Sequence, residues 1–137
     1  HLDLSNTTCV VIALIVNSSA YIAEIIRAGI QAVDIGQTEA AKSLGMSDFH
    51  CLTRIILPQA IKNILPALGN EFIAMIKETS LASTFFVPEL MTAYRTVQSS
   101  TYLSVPSLLI SGLIYLVINF ILSRLVKLLE KRLRASD

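Results

Sequence analysis

Residues Glu39–Pro58 read EAAKSLGMSDFHCLTRIILP. The stretch is two short helical pieces meeting at one glycine. Ala40, Ala41 and Leu44 give the first piece a small apolar face, and Leu52, Ile55 and Ile56 give the second a larger one. Gly45 falls where a helix stops through a left-handed residue, and any side chain there would meet a positive φ or a close neighbour. Asp34 or Thr38 can cap the first piece, over residues 38–44, and Ser47 the second, over residues 48–56. The spacing predicts a compact knob, a loop over residues 34–56 set between two hydrophobic segments.

Composition says where such a knob must live. Of 137 residues, 53% are hydrophobic and only 15% charged, with mean hydropathy +0.64. Soluble domains carry roughly 25% charged residues. The apolar residues are also gathered: 20 uncharged residues separate Asp3 from Glu24, and 28 separate Arg95 from Arg124. A bilayer core needs about 20 apolar helical residues. A soluble helix with no charge over the longer run would lack a solvated face. The expected fold is therefore an all-α integral membrane domain over residues 1–137, with three transmembrane helices near residues 8–33, 57–76 and 105–125. Residues 77–104, beginning KETSLASTFFVPELM, are too short and mixed to cross alone and are expected as a broken or re-entrant segment.

Charge placement orients these spans. Arg124, Lys127, Lys131, Arg132 and Arg134 follow the last apolar run, and Lys42, Arg54 and Lys62 surround the knob, which puts the knob and the C-terminus in the cytoplasm. His1–Thr8 has no Lys or Arg and fits the outer side, and no signal peptide is expected. The net charge of +1 points to no nucleic acid partner.

Polar positions inside the spans carry further information. Asn17, Glu24 and Gln31 recur every seven residues beside Ala20, Tyr21 and Ala28, a stripe that should face protein or a water-filled path. Glu24 and Arg27 can pair on one face. Ala60, Ala67 and Ala74 form a small-residue stripe suited to close helix packing. Pro58 suits a helix start, and Pro66 should kink the second span. Ser107, Ser111, Tyr115 and Asn119, spaced by four, mark a packing face on the third span. Cys9 and Cys51 would lie on opposite membrane sides and should not pair. There is no P-loop, no HExxH, no GxSxG and no zinc spacing, so neither an enzymatic activity nor a metal or cofactor is expected. His50 is expected to be exposed and solvated.

The order Glu39, Ala40, Ala41, Gly45, Ile55, Leu57, Pro58 resembles the EAA loop of ABC importer permeases. NSSAYIAEIIRAGIQAV (Asn17–Val33) and GNEFIAMIKETSLAS (Gly69–Ser83) are similar to the helices flanking that loop in the polar amino acid branch. The resemblance covers residues 8–129. It implies a type I importer permease fold in a bacterial inner membrane. The partners implied are two ABC ATPase subunits that hydrolyse the ATP, a second permease subunit (identical or paralogous) and an extracytoplasmic amino-acid-binding protein. Glu39, Ala40, Ala41, Gly45, Leu52 and Ile55 would couple to the ATPase. Family members usually carry two more spans before this point, so the chain is expected to be a C-terminal fragment.

For substrate, Glu78 is the leading candidate. A carboxylate at membrane depth costs about 2.5–3.5 kcal/mol on insertion scales, and is retained more easily where it meets an ammonium or guanidinium. An acidic residue at this K-[ED]-[TS]-S position fits that role in the family. Thr79, Ser80 and Asn17 could hydrogen-bond the rest of an amino acid. Alternatively Glu78 pairs with Lys77 or Arg95, and Glu71 locks helices together. Two other functions are compatible with the residues: a transporter driven by an ion gradient, or a truncated permease that does not transport.

Overall fold

The structure, a computed structural model, describes residues 5–134. Among them there are helices and no strand: α1 (Asn6–Gln31), α2 (Ile35–Ser43), α3 (Asp48–Cys51), a π turn (Leu52–Ile56), α4 (Leu57–Glu78), a 3-10 segment (Thr79–Phe85), α5 (Leu90–Thr101) and α6 (Ser104–Arg134). His1 and the side chain of Arg134, both used in orienting the spans, lie outside the described part.

Two of these helices are long and apolar enough to cross a bilayer, α1 and α6. Their 26 and 31 residues rise about 39 and 46 Å at 1.5 Å each, against a hydrocarbon core of about 30 Å. The expected third span is not confirmed as one. Helix α4 has 22 residues, a rise of about 33 Å, but Lys62, Glu71, Lys77 and Glu78 dilute its apolar character. Outward-facing Ile15, Val16, Leu109, Leu113, Leu116 and Phe120 are each between 59% and 67% exposed. A surface of that kind needs lipid or protein against it.

The second expected helix of the knob does not stop where α4 begins. Helix α3, the π turn and α4 follow one another without a break, and Pro58 sits inside that helical run. The π turn accounts for this. Leu57 donates its N–H to the carbonyl of Leu52, five residues back, so the backbone has already widened when the proline arrives without an N–H. The side-chain amide of Gln59 donates to the carbonyl of Ile55 at 3.0 Å.

Contacts divide the described chain into two units, residues 5–19 with 72–124 and residues 20–71 with 125–134. In the second unit the core is made of small residues. Ala60 is fully buried, and a side chain at Gly29 would land on Ile64. A Cβ at Gly69 would stand 2.8 Å from Val126. These helices approach closely because glycine and alanine let them. Of the alanine stripe, Ala60 is buried, and Ala67 and Ala74 are half-buried. In the first unit the expected face of α6 is turned inward. Ser107 and Ser111 are buried, and Tyr115 and Asn119 half-buried. The hydroxyl of Ser107 donates to the carbonyl of Leu103 (2.6 Å) and that of Ser111 to the carbonyl of Ser107 (3.0 Å). The two serine hydroxyls are thus satisfied within their own helix, whereas Asn119 Oδ1 is buried with no hydrogen-bond partner among the described residues. The Asn17–Glu24–Gln31 stripe is exposed on this chain. Glu24 and Arg27 on it approach to 3.8 Å. Cys9 and Cys51 are both free thiols, the second buried.

Candidate functional site

The knob is closed by bonds between near neighbours. Asp34 caps α2 by accepting from the N–H of Gly36 at 2.7 Å. At the other end Gly45 donates to the carbonyl of Lys42 (2.9 Å) and Met46 to that of Ala41 (3.1 Å). This pair of bonds is the Schellman arrangement, which needs a left-handed residue between them. Gly45 has φ +80°, and nothing lies within 4 Å of where its Cβ would be. Of the two reasons for glycine weighed from sequence, backbone conformation is the one seen within this chain. Ser47 then caps α3. It accepts from the N–H of His50 at 3.5 Å, and its hydroxyl lies 2.8 Å from Nδ1 of the exposed His50.

One ion pair crosses the glycine. Lys42 Nζ lies 2.8 Å from Asp48 Oδ1. The hydrogen bond from Lys42 holds the Asp48 carboxyl below the usual carboxylate range, and the same bond holds the Lys42 ammonium above the usual lysine range. Lys42 ends α2 and Asp48 begins α3, so each charge also suits its helix dipole. Both side chains are exposed, Lys42 at 55% and Asp48 at 86%, which keeps their attraction modest.

The expected coupling residues divide into two groups. Ala41 is 3% exposed and Ile55 half-buried, and α2 packs on α3 and the π turn. These two fill the knob's own interior. Glu39, Ala40, Gly45 and Leu52 lie on its surface. Three other large apolar groups are displayed there, Leu44 at 88%, Ile35 at 73% and Phe49 at 71% exposed. Phe49 lies two residues from buried Cys51, the offset that separates helix faces.

The substrate candidates are brought together in part. Asn17 Nδ2 donates to Glu78 Oε2 at 3.4 Å, a long bond. Both line a cavity of about 440 Å³ whose other walls are Val10, Ala13, Leu14, Leu81, Ala82 and Phe85. Thr79 and Ser80 are not among its walls, and the Thr79 hydroxyl is spent on the carbonyl of Ile76 at 2.7 Å. Glu78 makes no ion pair with Lys77, Arg95 or any other described residue. The floor is the 3-10 segment, tied back to the start of α1 by Asn6 Nδ2 donating to the carbonyl of Phe85 at 3.2 Å. A mostly apolar cavity with one carboxyl and one amide can hold an aliphatic stem that ends in a cation.

Known proteins give this arrangement its context. The chain is similar to the nopaline transport system permease protein NocM of Agrobacterium fabrum, 48% identical over 122 residues, 89% of this chain and 51% of that protein. It is 42% identical over 127 residues to the arginine transport system permease protein ArtQ of Bacillus subtilis, 93% of this chain and 58% of the other. It thus spans about half the length of such relatives. Among solved structures, a chain described as the crystal structure of an amino acid ABC transporter with histidines superposes with a TM-score of 0.92 at 50% identity, over 96% of this chain and 61% of that one. The family described as binding-protein-dependent transport system inner membrane component matches residues 2–135. By that match this chain belongs to the inner membrane components of binding-protein-dependent transport systems.

Proposed function

We propose that this chain is part of the permease subunit of an ATP-driven importer for polar amino acids. It forms a stretch of the translocation path and has no ATPase of its own. The knob over residues 34–56 faces the cytoplasm and docks on a separate ATPase subunit through Leu44, Phe49 and Leu52, with Glu39 and Ala40 beside them. A second permease subunit, and a binding protein on the outer side, complete the machine. The observation that carries this proposal is the knob itself: two capped helices locked at Gly45 in a chain whose family spans 2–135.

For substrate, the proposal is an amino acid with a positively charged group. Among the described residues Glu78 has an amide partner and no ion pair, in a cavity otherwise apolar. A bound ammonium or guanidinium would supply the missing charge and offset the cost of the carboxylate's burial in the membrane. The relatives named for nopaline and arginine transport support that class.

The test is uptake of radiolabelled arginine by the chain in its full-length setting, with its ATPase and binding protein, in proteoliposomes. Uptake is expected to need internal ATP and to survive collapse of the proton gradient. Uptake that persists without ATP and stops with the gradient would replace this proposal with an ion-driven transporter. Failure of the ATPase to co-purify would favour a permease remnant that does not transport.

A further inference from the structure

We infer that Glu89 and Tyr115 form a latch that positions one wall of the cavity, an inference that rests on Glu78 being the substrate-facing carboxyl. Glu89 caps α5, and its carboxyl accepts four hydrogen bonds. Oε1 takes the N–H of Thr92 at 2.6 Å and, at 3.1 Å, a share of the single hydroxyl proton that Thr92 gives mainly to the carbonyl of Val87. Oε2 takes the N–H of Met91 at 2.8 Å and the phenol of Tyr115, 26 residues further on, at 3.1 Å. The first three belong to an ordinary helix cap. The fourth does not, because it ties α5 to the middle of α6.

Helix α5 depends on that tie. It contains no fully buried residue, and its apolar Leu90, Met91 and Tyr94 are only half-buried, so its apolar anchorage is partial. The residues that flank it, Phe86 and Tyr102, have φ of 57° and 59° and are 80% and 88% exposed. Left-handed backbone at exposed, bulky side chains is anchored by no packing of those side chains. Besides its packing on the 3-10 segment, polar ties hold it: Glu89 to Tyr115, the Thr92 hydroxyl to the carbonyl of Val87 at 2.6 Å, and Gln98 Nε2 to Ser104 Oγ at 2.9 Å. Of these, only the first reaches the inward face of α6, where Ser107 and Ser111 are buried. Helix α5 in turn packs on the 3-10 segment, which carries Leu81, Ala82 and Phe85 into the cavity. Releasing the latch frees α5 and shifts that wall. Glu89 and Tyr115 touch no substrate in this scheme. They are positioning residues.

Two conservative changes separate the latch from the cap. Tyr115→Phe removes only the phenol. Glu89→Asp keeps a good N-cap residue but shortens the reach to α6. In the assembled transporter both are expected to raise the half-saturating arginine concentration about fivefold, the scale of one ordinary hydrogen bond, with maximal uptake and ATPase co-purification near wild type. Their combination is expected to match either alone. Glu89→Asp behaving as wild type while Tyr115→Phe does not, or unchanged half-saturation in both, overturns the latch. So does a loss of maximal rate and assembly with half-saturation unmoved, which marks a purely structural role. Glu78→Gln, measured alongside, isolates the underlying assumption. If Glu78→Gln leaves half-saturation unchanged, the substrate site is misplaced. If it raises half-saturation and the latch variants do not, the site stands and the latch falls.

Discussion

The knob at Gly45 and the segment from Glu78 to Ser104 both turn the chain sharply, by opposite means. At the knob the left-handed position is a glycine, and the hydrogen bonds and ion pair that close it span at most six residues, from Ala41–Met46 to Lys42–Asp48. In the other segment two left-handed positions carry Phe86 and Tyr102, and the ties reach 26, 61 and 79 residues, at Tyr115, Asn17 and Asn6. A turn built from local bonds keeps its shape whatever surrounds it. A turn that holds strain and leans on distant partners can be moved by whatever moves those partners. The first suits the proposed lever, the second the wall of the proposed substrate site.

The largest expected effect comes from breaking the local turn. A branched residue at φ +80° costs roughly 1–2 kcal/mol or more, so Gly45→Val should lower ATP-driven uptake by about tenfold or more in proteoliposomes. Gly45→Asn, which tolerates that backbone, should keep most of the activity because the surrounding space is open. Equal damage from both would mean that a partner fills that space, and that local geometry is not the whole reason for glycine.

On the other side, Glu78→Gln should raise the half-saturating concentration of arginine about tenfold, the worth of a charged hydrogen bond, and should affect an uncharged amino acid less. Identical effects on both substrates would strip the cavity of its charge preference.

Smaller still is Phe86→Asn. The side chain is mostly exposed, so little packing is lost, and asparagine accepts the left-handed backbone. Thermal unfolding of the assembled transporter should show a gain of about 1 kcal/mol at most. A clear loss would mean that Phe86 is packed against a partner in the assembly.

The smallest effect concerns Lys42 and Asp48. The Asp48 carboxyl is held low, so its contribution is present above the ordinary carboxylate range and lost as pH falls through the lowered value. The Lys42 ammonium is held high, so its share is present below the ordinary lysine range and lost as pH rises through the raised value. Between those limits Asp48→Asn should slightly weaken hydrogen-exchange protection at Met46 and His50, and high salt should erase the difference. A salt-insensitive loss would assign Asp48 a contact other than Lys42.

The same contrast explains what could be read from residue order. The glycine stop and the caps at Asp34 and Ser47 depend on neighbours a few positions away, so residue type reveals them. The packing face of α6 was visible because serine, tyrosine and asparagine recur every four residues in an otherwise apolar run. Pro58 misled, since a proline opening a helix and a proline following a π turn look alike until the backbone is traced. The residue type of Thr79 suggests a hydroxyl available to an amino acid, and only the backbone shows that the carbonyl of Ile76 accepts from it. Glu89 and Tyr115 were each legible singly, one as a helix start and one as part of a packing face. Their bond was not, because no pattern within either segment encodes the other.

The reach of that bond also has a meaning in time. Ribosomes add roughly 5–20 residues per second, so Tyr115 follows Glu89 by about 1–5 s during synthesis, given the 26 residues between them. Local helical turns form within about a microsecond. The knob is therefore complete almost as it emerges, while Glu89 waits without its phenol until that part of α6 is made. A ribosome stalled between the two would hold a chain whose lever is finished and whose gate is still unhung.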